Sequence, residues 1–304
     1  MKSKKLSGAP MLLLTAMIWG GAFVAQSMST GFVGPFTFNT ARYAIGAAVL
    51  IPIILIVDKL NPGRPAFLGW RNPKLWIGGV ICGLLVTIAA AFQQAGIQYT
   101  TVGKAGFITT LYVILVPIFS IFLGKKPSKL IWVCVCLAVC GLYLLCMSET
   151  ASINIGDLLV LCSGLGFAFQ ILAVDRYVMQ VDGVKLSFLQ FLFSAIFSVL
   201  PAFLFETPTV VGLVGAWKPL FYTGVLSCGV GYTFQILGQK NTDPTVASIV
   251  MCMESVFSVL FGWLILHQAL SQRELIGCAL MFVAVLMAQL PSKKEREAQK
   301  EILE

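Results

Sequence analysis

The sequence predicts an all-α polytopic membrane protein, with ten transmembrane helices in two inverted five-helix repeats. Three observations carry that expectation. The 304 residues are 58% hydrophobic and only 11% charged, with a mean hydropathy of +0.89. A water-soluble fold of this size cannot hide so much apolar surface. The apolar residues are gathered into ten runs, each close to the roughly 20 residues that cross a bilayer. The runs also form two related sets of five. A five-helix unit crosses an odd number of times, so its second copy sits upside down. Inverted repeats of this kind mark alternating-access carriers.

The first run, 10–28, follows the basic stretch Met1–Lys5. No small-x-small cleavage site ends it, so it reads as a retained helix. The second, 35–57, carries Arg42 and Pro52. The longest loop, Asp58–Lys74, holds Pro62, Pro65 and Pro73. The third run, 75–95, ends in Gln93 and Gln94, and the fourth, 104–123, contains Tyr112 and Pro117. The fifth, 130–147, clusters Cys134, Cys136 and Cys140, which read as packed or lipid-facing thiols in this apolar setting. In the second set, 157–174 holds Gln170, 186–205 holds Pro201 and 219–238 holds Gln235. The ninth run, 244–266, places Glu254 near its middle, and 274–290 is the tenth. All are apolar around the whole helix, which excludes the short alternating strands of a membrane barrel. Gly20, Gly21, Gly79, Gly83, Gly164 and Gly166 permit close helix approach, and Pro117 and Pro201 are candidate bends.

Charge sets the orientation. With the N-terminus inside, the inner segments hold 17 Lys and Arg and the outer segments three: Lys104, Lys218 and Arg273. That bias puts both termini in the cytoplasm of a multi-pass cell-membrane protein. The net charge of +8 reflects these loops and implies no nucleic-acid partner.

The repeat is visible in two alignments. FQQAGIQYTTVGKAGFI (Phe92–Ile108) and FQILGQKNTDPTVASIV (Phe234–Val250) share Phe92/Phe234, Gln93/Gln235, Gly96/Gly238, Thr100/Thr242 and Ala105/Ala247. Met11–Gln26 and Asp157–Leu172 share two Leu pairs, Gly20/Gly166, Ala22/Ala168 and Phe23/Phe169. Pro52 and Pro201 each lie near the end of the second helix of their half. The halves are then 8–148 and 152–291, followed by a charged cytoplasmic tail, 292–304.

The chain resembles the EamA-type family of the drug/metabolite transporter superfamily. IWGGAF (Ile18–Phe23), TARYAIG (Thr40–Gly46), the segments Gly106–Ser128 and Ala247–Ser271, and the Gly277 and Leu280 spacing carry the resemblance. It covers almost the whole chain, and 8–148 and 152–291 correspond to its two five-helix repeats. The resemblance implies a secondary carrier for amino acids, nucleotide precursors, quaternary amines or other metabolites, often moved outward. Two departures stand out. Gly124-Lys125 and Leu266-His267 replace the family's frequent Gly-Glu, and Ser255 replaces the Pro common after the position of Glu254, which allows a straighter ninth helix.

An ionisable side chain in hydrocarbon costs roughly 2.5–3.5 kcal/mol on insertion scales, so each one marks a candidate site. Glu254 is the sharpest. It can carry a proton for coupling, stay ionised and attract a cation, or sit protonated against a backbone carbonyl. By the repeat offset its counterpart is Tyr112, and aromatics beside an acid suit an ammonium group. Gln93, Gln170 and Gln235 supply donors and acceptors for a polar solute, or alternatively join helices. Gln94 belongs to the same polar set. Trp19 is a candidate aromatic wall. The expected substrate-binding set is therefore Trp19, Gln93, Tyr112, Gln170, Gln235 and Glu254. Arg42 attracts an anion or carboxylate, or else snorkels to the outer surface or pairs with a carbonyl. Lys104 and His267 read as interfacial.

No cofactor or metal is expected: no paired CxxC and no GxxxxGK[ST] loop occurs. Nor is an enzyme, since clustered acid, base and nucleophile are missing. The expected activity is secondary active transport of a small polar metabolite, in the form of a proton-coupled amino acid or amine exporter. The alternative is a passive facilitator or pore. The partners are a small-molecule substrate and the lipid bilayer. Packing and lipid-facing surfaces look alike, so the oligomeric state stays open.

Overall fold

The computed structural model describes residues 8–60, 69–100, 102–146, 154–266 and 271–290. The charged tail, His267, Arg64 and Lys2, Lys4 and Lys5 lie outside the described residues. Among those described the chain is helical, with no strand. A buried backbone in lipid has to satisfy its own hydrogen bonds, and an unbroken helix does so.

The elements are α1 (Ala9–Ser29), α2 (Pro35–Leu60), α3 (Pro73–Ile97), α4 (Val102–Thr110), α5 (Tyr112–Phe122), α6 (Lys129–Cys146), α7 (Ile155–Val178) and α8 (Gly183–Phe205). The short α9 (Val210–Gly215) and α10 (Trp217–Phe221) lead into a wide π-type coil, Tyr222–Gly231. Then come α11 (Tyr232–Gln239), α12 (Pro244–Met251), α13 (Glu254–Leu266) and α14 (Gln272–Ala288). Among the described residues eight rods are long and apolar enough to cross a membrane, counting Val102–Phe122, Trp217–Gln239 and Pro244–Phe261 as one each. α6 is a shorter apolar helix, and α14 has 17 residues.

The starts of these helices are written in local chemistry. Asn72 caps α3 ahead of Pro73, and Asp182 accepts from Val184 N and Lys185 N at the start of α8. Asn154 with Asp157, and Ser271 with Glu274, close reciprocal capping boxes on α7 and α14. The start of α2 is capped from far away. The Glu206 carboxylate, just past α8, accepts from Phe36 N and Thr37 N at 2.8 Å each and from Thr37 Oγ1 at 2.6 Å.

Two expectations about helix shape need correction. The fourth and ninth runs are not continuous. Leu111 separates α4 from α5, and Cys252 and Met253 separate α12 from α13. At each break the backbone tightens: Leu111 N donates to Ile108 O, and Met253 N donates to Val250 O, three residues back. These positions match under the repeat offset. The ninth helix is therefore interrupted although Ser255 stands where the family often has Pro. The tightening at Met253 itself supplies the interruption, and no proline is required.

Packing joins the two parts of the chain along their length. α3 lies on α7, α2 on α8, α6 on α14, and α1 on α13 and the π-type coil. Ion pairs fasten both ends of the bundle. Lys104 Nζ meets Asp157 Oδ2 at 2.7 Å at one end; Lys125 meets Asp175 at 2.7 Å and Lys185 meets Asp58 at 2.8 Å at the other. Lys104, expected to be interfacial, is thus a largely buried partner of Asp157. That pairing meets the cost of holding both charges away from water.

Candidate functional site

A small cavity of about 30 Å³ sits among the helices of the bundle. α1, α2, α3, the α4–α5 rod, α7, the π-type coil, α11 and α13 all contribute to its wall. Close helix approach shapes it. A Cβ on Gly20 would lie 2.6 Å from Phe257 Cβ and 2.8 Å from the Glu254 carbonyl oxygen, so only glycine lets α1 touch the start of α13.

All six residues singled out from the sequence line this one cavity: Trp19, Gln93, Tyr112, Gln170, Gln235 and Glu254. The two helix breaks put Tyr112 at the first position of α5 and Glu254 at the first position of α13. The Tyr112 hydroxyl donates to Glu254 Oε1 at 3.2 Å. Both side chains are buried, Glu254 to 3% exposure. The amides form a second group: Gln235 Nε2 donates to Gln170 Oε1 at 3.0 Å, and Gln170 Nε2 donates to Gln190 Oε1 at 3.1 Å. Gln93 Nε2 donates to Thr109 Oγ1 at 3.2 Å. The Trp19 ring packs 4.6 Å from the Tyr232 ring, and its Nε1 has no hydrogen-bond partner among the described residues.

Gln94 belongs elsewhere. Its Nε2 donates to Gln26 O and Ser29 Oγ, which ties α3 to α1. Arg42 does not snorkel; it is 4% exposed and lines the cavity. Its Nη1 donates to Gln26 Oε1 at 3.2 Å and its Nη2 to Tyr43 Oη at 3.3 Å. The guanidinium lies 5.0 Å from the Tyr43 ring centre and 5.5 Å from that of Phe38. Neutral partners and two rings hold it too firmly to reach a surface.

Gln26, Thr109, Ser227 and Tyr232 also line the cavity and were not singled out from the sequence. Spacing was the available signal for three of them. Gln26 lies two turns after Trp19 on α1, and Tyr232 and Thr109 each lie three residues before a site residue. No group of three or more His, Cys, Asp or Glu able to hold a metal occurs among the described residues.

The family model of the EamA-like transporter family matches residues 6–147 and again residues 154–289. An uncharacterized transporter of Archaeoglobus fulgidus is 31% identical over 92% of this chain and 84% of its own length. The uncharacterized transporter YoaV of Bacillus subtilis is 25% identical, over 91% of this chain and 94% of its own. YetK of the same organism, also an uncharacterized transporter, is 24% identical over 96% and 89%. One solved structure, described only as the crystal structure of a protein, superposes with a TM-score of 0.75 over 93% of this chain and 98% of that one. Its identity is 23%, so the likeness concerns the fold.

Proposed function

This chain belongs to the EamA-like transporter family, and on that premise we propose that it is a secondary active carrier of a small polar metabolite, working by alternating access. It is a multi-pass membrane transporter and not an enzyme. The reading adds ten crossings in two inverted five-helix repeats, with both termini cytoplasmic in the cell membrane. The substrate is an amino acid or amine moved outward in exchange for protons.

One observation carries the reading. The residues at equivalent positions of the two halves, Tyr112 and Glu254, are hydrogen-bonded to each other on the wall of the central cavity. Each follows a helix break at the same register. A carboxyl placed there can bind a cationic group when ionised and release it on taking up a proton. Further support comes from the way the helices pair. α3 rests on α7 as α1 rests on α10, the π-type coil and α11, while α2 with α8 and α6 with α14 are pairs of equivalents. Such packing suits one half rocking against the other.

Flux in proteoliposomes tests the coupling. It is expected to respond to an imposed pH gradient, and Glu254→Gln to abolish that response. Flux that ignores the gradient and runs only downhill in the wild type assigns a passive facilitator instead. For orientation, single cysteines at Lys59 and Ser152 are expected to label from opposite sides; labelling from one side overturns the crossing count.

A further inference from the structure

Two opposite charges line the cavity without pairing. Arg42 and Glu254 are 4% and 3% exposed, and no ion pair joins them. Each is satisfied only in part. Glu254 receives the Tyr112 hydroxyl, and Arg42 leans on the neutral oxygens of Gln26 and Tyr43. Its Nε–H has no partner among the described residues. A guanidinium keeps its proton in proteins, so burial does not neutralise it. A buried cation without a counter-charge is strongly disfavoured. Gln26, Tyr43 and the rings of Tyr43 and Phe38 hold the guanidinium without neutralising it, and an oxyanion entering the cavity would supply that countercharge.

We propose that Arg42, with Gln26, is an oxyanion-recognition arm of the transport site, and that the substrate carries a carboxylate or phosphate on the same molecule as its cationic group. This rests on the reading of the cavity as the substrate site. The planar fork of Arg42 suits a two-oxygen partner held by parallel hydrogen bonds, as a lysine in its place would not. The cation end is the Glu254–Tyr112 pair. The Trp19–Tyr232 aromatic pair, with ring centres 4.6 Å apart, lines the same cavity. A molecule spanning the two ends neutralises both walls at once, which explains why neither charge has an ionic partner in the protein itself.

The test is binding to the purified full chain in detergent, which needs no transport. The probes are the common L-amino acids and phosphoethanolamine, read by thermal stabilisation. For the tightest of them, the carboxamide (or ethanolamine) removes the anion and the deaminated analogue removes the cation. In the wild type, removing the anion is expected to weaken binding about tenfold or more. Arg42→Gln is expected to bind the anion-bearing and anion-free forms alike while still preferring the amine over the deaminated analogue. Glu254→Gln should show the reverse pattern. Arg42→Lys, which keeps the charge and loses the fork, retains part of the anion preference and serves if Arg42→Gln fails to fold. An Arg42→Gln protein that keeps the wild-type preference for the anion overturns the proposal. So does equal stabilisation by sodium chloride alone, or a wild type that binds no zwitterion in the set. The expected binding pattern together with silent proteoliposomes removes the carrier reading and leaves the arm in place.

Discussion

The family model matches the chain twice, over residues 6–147 and 154–289, and the two stretches differ in what they place at matching positions. Both interrupt a helix, at Leu111 and at Met253, and both start the next segment with a cavity residue. In the first half that residue is a phenol, in the second a carboxyl. The ends differ in the same way. Gly96 and Gly238 are repeat equivalents, and each lets its helix touch a helix of the other half. A Cβ on Gly96 would lie 2.8 Å from the Gly156 carbonyl oxygen, and one on Gly238 would lie 3.0 Å from that of Gly8. Beyond Gly96, Thr100 donates to Asp157 at 2.6 Å, and Lys104 completes the cluster. Beyond Gly238, the equivalent Thr242 hydroxyl has no partner among the described residues. The close contacts and the helix breaks recur at matching positions, whereas the charges do not; a second carboxylate in the same cavity would repel the first.

Five substitutions break or sharpen that contrast. Glu254→Gln makes the centres of the halves alike in charge, and complete loss of pH-driven flux is expected in reconstituted vesicles. Gly20→Val pushes α1 off α13. An added branched side chain at a contact this tight costs about 1–3 kcal/mol, seen as a lower denaturation temperature of the purified protein. Tyr112→Phe keeps the ring and removes only the hydroxyl bond. A change of about 1 kcal/mol, or roughly fivefold in substrate affinity, is expected by titration, with the fold intact. The smallest effects compare the ends. Thr100→Val is expected to lose about 0.5–1.5 kcal/mol through its bond to Asp157. Thr242→Val should stay within about 0.5 kcal/mol of the wild type in the same thermal assay. Equal losses at both threonines would erase the contrast between the ends.

Much of this arrangement is legible in the sequence, for particular reasons. Helix starts are visible because Asn72-Pro73, Asp182, Asp243-Pro244 and the Ser271–Glu274 box announce themselves locally. Polar and charged groups stand out against apolar helices, so Glu254, Gln93, Gln170 and Gln235 are found without a structure. The breaks are not legible: Leu111, Cys252 and Met253 carry no Gly or Pro, and their tightening depends on tertiary packing. Partnerships across the chain are equally hidden. Lys104 meets Asp157 and Gln170 meets Gln235 across 53 and 65 residues, distances at which no spacing rule operates. Nor can a sequence that is apolar all round tell an inward helix face from a lipid-facing one. For that reason Gln94 looked equivalent to Gln93, although one joins helices and the other lines the cavity.

Among the residues that line the cavity, Glu254 is the sole carboxylate. On the proposed mechanism that fixes the stoichiometry. A single exchangeable site carries at most one proton per turnover, so a neutral zwitterion moved against one proton transfers one net charge per cycle. Transport would then be electrogenic. Each 100 mV of membrane voltage would contribute about 2.3 kcal/mol to the gradient it sustains, and clamping the voltage to zero would expose the part supplied by pH alone.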